Sequence, residues 1–378
     1  MKIYDKSPFR NNLRLSALSV SYALSAPLPT SSNQNPNFLE SFQSLLKYGV
    51  AAICAGIIVY FLIQTSAHAA AMIQSKVVVA VTQIVEHSAL NAIRDGIADS
   101  LKAASYDADK DLEWNYQNAH GNLSTNTQIA HKFAGIKPTV IIAISTPSAQ
   151  AAIKAVKNTS IPVVFTAVTD PLKANLVSNL EKPGQNVTGV SDFPPIKEQL
   201  LQIRKILPEA HKLGVVYNPG EPNSVNLMTL LRQEASQEGF ELVEAAATKT
   251  ADVAMVIQRV IPNVDALLIP PDNTLISVIS QIVKIGFQHM KPVFTMDSQS
   301  VYHGALACIG FSYYEVGQAT GQIVIKILQG AKASEIPIKS PPNQDIFLNL
   351  ASAEKLGIRI PTDNVNKAKY VIREGETR

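Results

Sequence analysis

Residues 140–150 read Val-Ile-Ile-Ala-Ile-Ser-Thr-Pro-Ser-Ala-Gln. Five apolar, mostly β-branched residues are followed by two hydroxyls, a proline and small helix-forming residues. The first part predicts a strand covered on both faces, because nothing in it alternates with polar residues. The second predicts a helix opening at Thr146-Pro147, since proline lacks the N–H that a first helical turn leaves unused. A buried strand running straight into a helix is half of a parallel β-α-β unit.

The same grammar recurs along the chain. Strands are predicted over Val77–Val81, Val140–Ile144, Val163–Ala167, Leu213–Tyr217, Ala266–Ile269, Val293–Thr295 and Ile346–Asn349. Helices are predicted over Ala89–Ala104, Ala149–Lys157, Lys197–Leu207, Val225–Glu238, Val253–Ile261, Ser277–His289 and Tyr314–Gln329, the last stopped by Gly330. Alternation of this kind implies an α/β fold of two doubly wound, Rossmann-like lobes with a ligand cleft between them. Lobe 1 is expected over 76–190 plus about 298–336, and lobe 2 over 191–297 plus about 337–361. Three interlobe crossovers follow, one at Ser191–Pro195, one near Asp297–Gly304 and one around Pro337–Pro342. Residues 362–378 read as a polar, frayed tail.

The N-terminus is different. Residues 49–63, GVAAICAGIIVYFLI, carry no charge, follow Lys47, and precede Ala67-His68-Ala69-Ala70-Ala71. A basic flank, a short apolar run and a small-x-small site make a secretory signal over 47–71. An uncleaved membrane anchor is the other reading, and both export the rest. Residues 1–46 are either a disordered extension or sequence upstream of the true start.

Composition narrows the function. With 46% hydrophobic and 17% charged residues the chain has ample core material, and a net charge of +3 gives no nucleic-acid footprint. Of two cysteines, Cys54 lies in the apolar run and leaves Cys308 alone after cleavage, which excludes an internal disulfide and a cysteine metal site. Ile53, where a small residue should precede a lipidated cysteine, argues against a lipid anchor at Cys54. Glu86-His87 has no HExxH context, and GxSxG, GxGxxG and P-loop patterns are missing. No enzyme, metal or cofactor is expected.

In open parallel sheets, ligands sit beyond the carboxyl ends of the strands. Those positions hold Thr82 and Gln83, Ser145 and Thr146, Thr169 and Asp170, Asn218, Asp272 and Asp297. Ser145-Thr146-Pro147 offers hydroxyls and free helix-start amides, which suits a carboxylate or serves as a plain helix cap. Asp170, Asp272 and Asp297 are candidate partners for an ammonium group, or caps and turn residues.

Several stretches then carry a family likeness. Residues 81–90 (VTQIVEHSAL), 145–151 (STPSAQA), Thr169-Asp170-Pro171, 186–191 (NVTGVS), 217–224 (YNPGEPNS), 304–307 (GALA), 313–317 (YYEVG) and 353–358 (AEKLGI) follow in family order. Over about Val77 to Pro361 the chain resembles the ABC transporter substrate-binding proteins that include tryptophan- and tyrosine-type binders. The resemblance implies a type I periplasmic-binding-protein fold that closes on a small solute, with an aromatic amino acid as leading cargo and ABC permease subunits as partners. By the same likeness, Ser145, Thr146 and Thr169 hold the carboxylate, Asp272 or Asp297 the amine, and Thr82, Gln83 and Asn218 complete the lining. Two rivals remain at this point: the ligand-sensing half of an anchored receptor, and a sugar or nucleoside binder on the same fold, against which the scarcity of Arg in these loops weighs.

Overall fold

The computed structural model describes residues 76–107, 112–341 and 344–373, together with Tyr48, Gly49, Ile53, Gly56, Ile57, Val59 and Tyr60. Those seven are helical and exposed. The remainder of the signal or anchor segment and the 1–46 extension lie outside the described residues. Among the described residues, no helix is long and apolar enough to cross a membrane.

Lobe 1 is a five-stranded sheet in the order β2-β1-β3-β4-β5, formed by β1 (Val77–Gln83), β2 (Leu112–Asn118), β3 (Val140–Ile144), β4 (Val163–Val168) and β5 (Val187–Ser191), all parallel. Its central strands β3 and β4 are buried throughout, as their unbroken apolar runs require. Helices α1 (Ser88–Ala103), α2 (Leu123–Ile136) and α3 (Thr146–Ala155) connect the strands. Phe133, Phe165 and Ile142 are fully buried here, and each such side chain contributes about 1.5–3 kcal/mol through apolar burial.

Lobe 2 begins with α4 (Ile196–Ile206), β6 (Lys212–Tyr217), α5 (Pro222–Gln237), β7 (Glu241–Ala246), α6 (Val253–Val260) and β8 (Ala266–Ile269). It continues through α7 (Asn273–Ile276), α8 (Ile279–Gln288), β9 (Val293–Thr295), α9 (Gln299–Tyr302) and β10 (Ala307–Gly310). The chain then returns to lobe 1 as α10 (Tyr313–Leu328) and comes back as β11 (Asp345–Asn349), α11 (Leu350–Lys355), α12 (Thr362–Lys367) and β12 (Tyr370–Ile372). The seven-stranded order is β12-β11-β10-β9-β8-β6-β7, parallel except for β10 against β11.

Two boundaries differ from expectation. The second crossover lies after Gly310, not at 297–304, because the turn at Gly304 (φ +99°) sends the chain back into the same sheet to pair Ala307 with Phe294. The segment expected to fray from residue 362 is folded through Ile372. There Tyr370 stacks on Phe347 with ring centroids 4.4 Å apart, and Lys369 pairs with Asp345 at 2.8 Å. Residues 374–378 lie outside the described set.

In lobe 1, α10 packs on α1 at backbone distance. A Cβ on Gly317 would sit 2.2 Å from the carbonyl oxygen of Ile93, and one on Gly96 would sit 2.3 Å from that of Tyr314. Only glycine permits this approach.

Candidate functional site

The carboxyl ends of both sheets face one cleft. From lobe 1, β1 ends in Thr82 and Gln83, β3 runs into Ser145 and Thr146, and β4 runs into Thr169. All five are buried, yet Thr82 Oγ1, Gln83 Oε1, Ser145 Oγ and Thr146 Oγ1 have no hydrogen-bond partner within the protein. Buried polar atoms are normally satisfied, so four together at strand ends mark a place built for a polar guest. Ser145 does not use its hydroxyl as a helix cap, although it occupies the N-cap position. Its backbone, at φ 88° and ψ 158°, lies in a region natural only to glycine. Behind it, Asn126 Nδ2 donates to Pro147 O at 2.9 Å and Ser148 Oγ donates to Asn126 Oδ1 at 3.2 Å, which fixes the start of α3.

The first crossover supplies a residue that sequence reasoning passed over. Asp192 is 4% exposed, its Oδ1 has no partner, and it lines the inner cleft with His87, Thr169 and Tyr313. Burial pushes its carboxyl up to about 6, against the opposing pull of the Thr169 and Tyr313 hydroxyls. Sequence signals existed: an acid directly after the likeness at 186–191, inside a recognised crossover. From lobe 2, Asn223, Pro271, Asn273 and Ile276 close the same cavity, and Asn223 Oδ1 is also unpartnered. The outer cleft lies between Ile84, His120, Leu123 and Pro147 on one lobe and Asn218, Glu221, Lys249, Asn273 and Thr274 on the other.

The other expected acids have local duties. Asp272 Oδ1 accepts the Leu275 N–H at 3.0 Å and caps α7, while Oδ2 accepts from Asn218 N at 2.7 Å and Ser224 Oγ at 2.6 Å. Burial and the neighbouring Glu221 charge push it up to about 8. Asp297 is buried and accepts from Ser300 N at 2.9 Å and Ser300 Oγ at 2.5 Å, and burial raises its pKa. Asp170 accepts the N–H groups of Leu172 and Lys173 at 3.1 and 3.0 Å in a turn at the rim. Asn218 gives its amide to Thr274 Oγ1 at 2.9 Å and receives Gly220 N at 2.8 Å. The structure therefore gathers Thr82, Gln83, Ser145, Thr146 and Thr169 around unpartnered atoms. It turns Asp170, Asp272 and Asp297 toward their own lobes, while Asn218, bonded within lobe 2, lines the outer cleft. Among the described residues, no group of three or more His, Cys, Asp or Glu could hold a metal ion.

Comparison with known proteins identifies the family and the fold. The model of the family "ABC transporter substrate binding protein" matches residues 78–372. A protein named "Tyrosine-binding protein" from Clostridioides difficile (strain R20291) is 34% identical over 294 residues, 78% of this chain and 84% of its own length. The crystal structure of an ABC domain in complex with L-Trp from Streptococcus pneumonia overlays with a TM-score of 0.75 at 30% identity, covering 79% of this chain and all of that one. The ligand-free, open structure of a substrate binding protein with adhesive properties from Clostridium difficile overlays at only 0.60, despite 37% identity, covering 79% of this chain and 99% of that one. Strand order, cleft and kinship converge: this chain belongs to the ABC transporter substrate-binding protein family and has the two-lobed type I periplasmic-binding-protein fold.

Proposed function

We propose that this protein captures an aromatic amino acid outside the cytoplasm and presents it, lobes closed, to an ABC permease. The observation that carries the reading is the division of unpartnered atoms around the cleft. The hydroxyls of Thr82, Ser145 and Thr146, beside the first amides of α3, form a donor-rich pole for a carboxylate. Asp192 Oδ1 and Asn223 Oδ1 form an acceptor pole for an ammonium group. Thr169 stands beside Asp192, and Leu90, Pro271 and Ile276 offer apolar wall for a side chain. Gln83 completes the lining from β1. In this reading Asp192 takes the role first sought at Asp272 or Asp297, because those two carboxylates are already surrounded by donors of their own lobe. The names of the relatives, one a tyrosine binder and one crystallised with L-Trp, point the same way.

The mechanism is conformational. A solute that touches both lobes gains contacts in the closed form that the open form lacks, and only this difference drives closure. The segment at 49–63 exports the protein, either as a cleaved signal or as a retained anchor. Calorimetric titration with each of the twenty amino acids tests the assignment. Selective binding of tyrosine, tryptophan or phenylalanine supports it. Binding of a sugar or nucleoside, with no response to any amino acid, overturns the choice of cargo.

A further inference from the structure

One hydrogen bond crosses the cleft away from the crossovers. His87 opens α1 in lobe 1, and its Nε2 lies 3.3 Å from Asn273 Oδ1, at the start of α7 in lobe 2. Both side chains are buried. His87 Nδ1 accepts the N–H of Leu90 at 3.5 Å, so the ring proton sits on Nε2 and points across the cleft. Burial lowers the imidazole pKa to about 4, which keeps the ring in that neutral form at ordinary pH. Asn273 is equally constrained. Its backbone N and its Nδ2 both donate to Glu221 Oε2, at 3.0 and 2.6 Å, which leaves Oδ1 as the atom facing His87. Glu221 is itself anchored by Thr274 N at 3.0 Å and Thr274 Oγ1 at 2.8 Å. The chain His87–Asn273–Glu221 thus ties the first helix of lobe 1 to the loops after β6 and β8. Asn273 borders both the inner and the outer cleft, so the bond lies at the boundary between them.

We infer that His87 and Asn273 form a latch between the lobes that stabilises the closed form whatever solute it holds. The inference rests on hinge closure but not on the cargo's identity. A bond that exists only in the closed form raises its population in the free protein. It therefore scales the affinity for every solute by one factor, since apparent affinity is reduced by the fraction of competent protein. Asn273 and His87 are positioning residues in this sense, acting through the lobes.

His87→Asn tests it in the full chain. Asparagine retains a side-chain cap for Leu90 but is too short to reach Asn273. Asn273→Ser, which keeps the backbone N–H for Glu221, is the companion variant. With one spin label on each lobe, both variants should shift the solute-free distance distribution toward the open form. Both should weaken L-tyrosine, L-tryptophan and L-phenylalanine by a common factor of about two to ten, the range of one net hydrogen bond. Unchanged distances in both variants would overturn the latch. So would losses that differ from one solute to another, because they would make His87 a solute contact. If none of the three amino acids binds, the distance measurement alone decides, so a wrong cargo and a wrong latch are told apart.

Discussion

Ser224 donates its hydroxyl to Asp272 Oδ2 at 2.6 Å, and through that bond the start of α5 is held to the loop after β8. Asn218 N donates to the same oxygen, so three donors converge on one buried carboxylate when Leu275 N is included. In the proposed reading Asp272 shapes the lobe 2 wall and Asp192, not Asp272, meets the cargo. Asp272→Ala would strand two buried donors and uncap α7. The expected loss of stability is about 2–4 kcal/mol in chemical denaturation. Asp297→Ala, which strands the Ser300 donors, should behave alike. Full stability with abolished binding in either variant would return that acid to the site.

Asp192→Asn should have the opposite signature. The substitution keeps the size and removes the charge that faces the ammonium pole. Loss of one partner from a buried charge pair costs about 2–5 kcal/mol, so calorimetry should show weakening of at least about thirty-fold. The melting temperature without solute should hold or rise, since an uncompensated buried carboxylate is removed. Unaltered affinity would exclude Asp192 from amine recognition.

Protonation should couple to both stability and binding. Asp272 at about 8 and Asp192 at about 6 lie above the usual carboxylate value of 3.8, so the folded state holds protons that the unfolded chain has released. Their stabilisation is complete at low pH and is lost as pH rises through those values. His87 works the other way. Its folded pKa of about 4 lies below 6.5, so stability rises with pH between the two. Above pH 6.5 Asp272, held well above the usual carboxylate value by burial and the Glu221 charge, is the main group of the three still titrating, and the denaturation midpoint should fall as pH rises further. Binding an ammonium group favours ionised Asp192. Affinity should therefore decline below about pH 6, with proton release visible as a buffer-dependent enthalpy. Asp192→Asn should remove that release.

Ser145→Gly separates strain from recognition. Glycine relieves the backbone at φ 88°, where a serine costs of order 1–3 kcal/mol, less the 0.5–1 kcal/mol that glycine adds in chain entropy. The variant should melt higher and bind more weakly, having lost an unpartnered hydroxyl. A variant that binds as well as the parent would remove Ser145 from the carboxylate pole.

What the sequence revealed follows from burial. Strands β1, β3, β4, β6, β8 and β9 announce themselves because the middle of a covered parallel sheet is apolar on both faces. Strands β2 and β7 lie at sheet edges and are largely half-exposed, so they lack the unbroken apolar runs by which the central strands were found. β12 was hidden in a polar tail for the same reason. At the site, hydroxyls after strands were legible, since a Ser-Thr-Pro helix start is a local pattern. The roles of the acids were not. Whether a carboxylate faces the cleft or its own lobe depends on donors far away in sequence, as Asn218 is for Asp272.

The glycine contact between α1 and α10 has a consequence for how the chain acquires its shape. The helix that covers α1 is encoded more than two hundred residues later, beyond most of lobe 2. Residues 76–191 released alone would present the bare Gly96 face of α1, with no partner to fill it. Neither lobe can finish before the other has been traversed, which makes folding a late, non-local event dominated by distant contacts. Lobe 1 stays unfinished during synthesis until residue 328 is available, and lobe 2 until β12 has followed at Ile372.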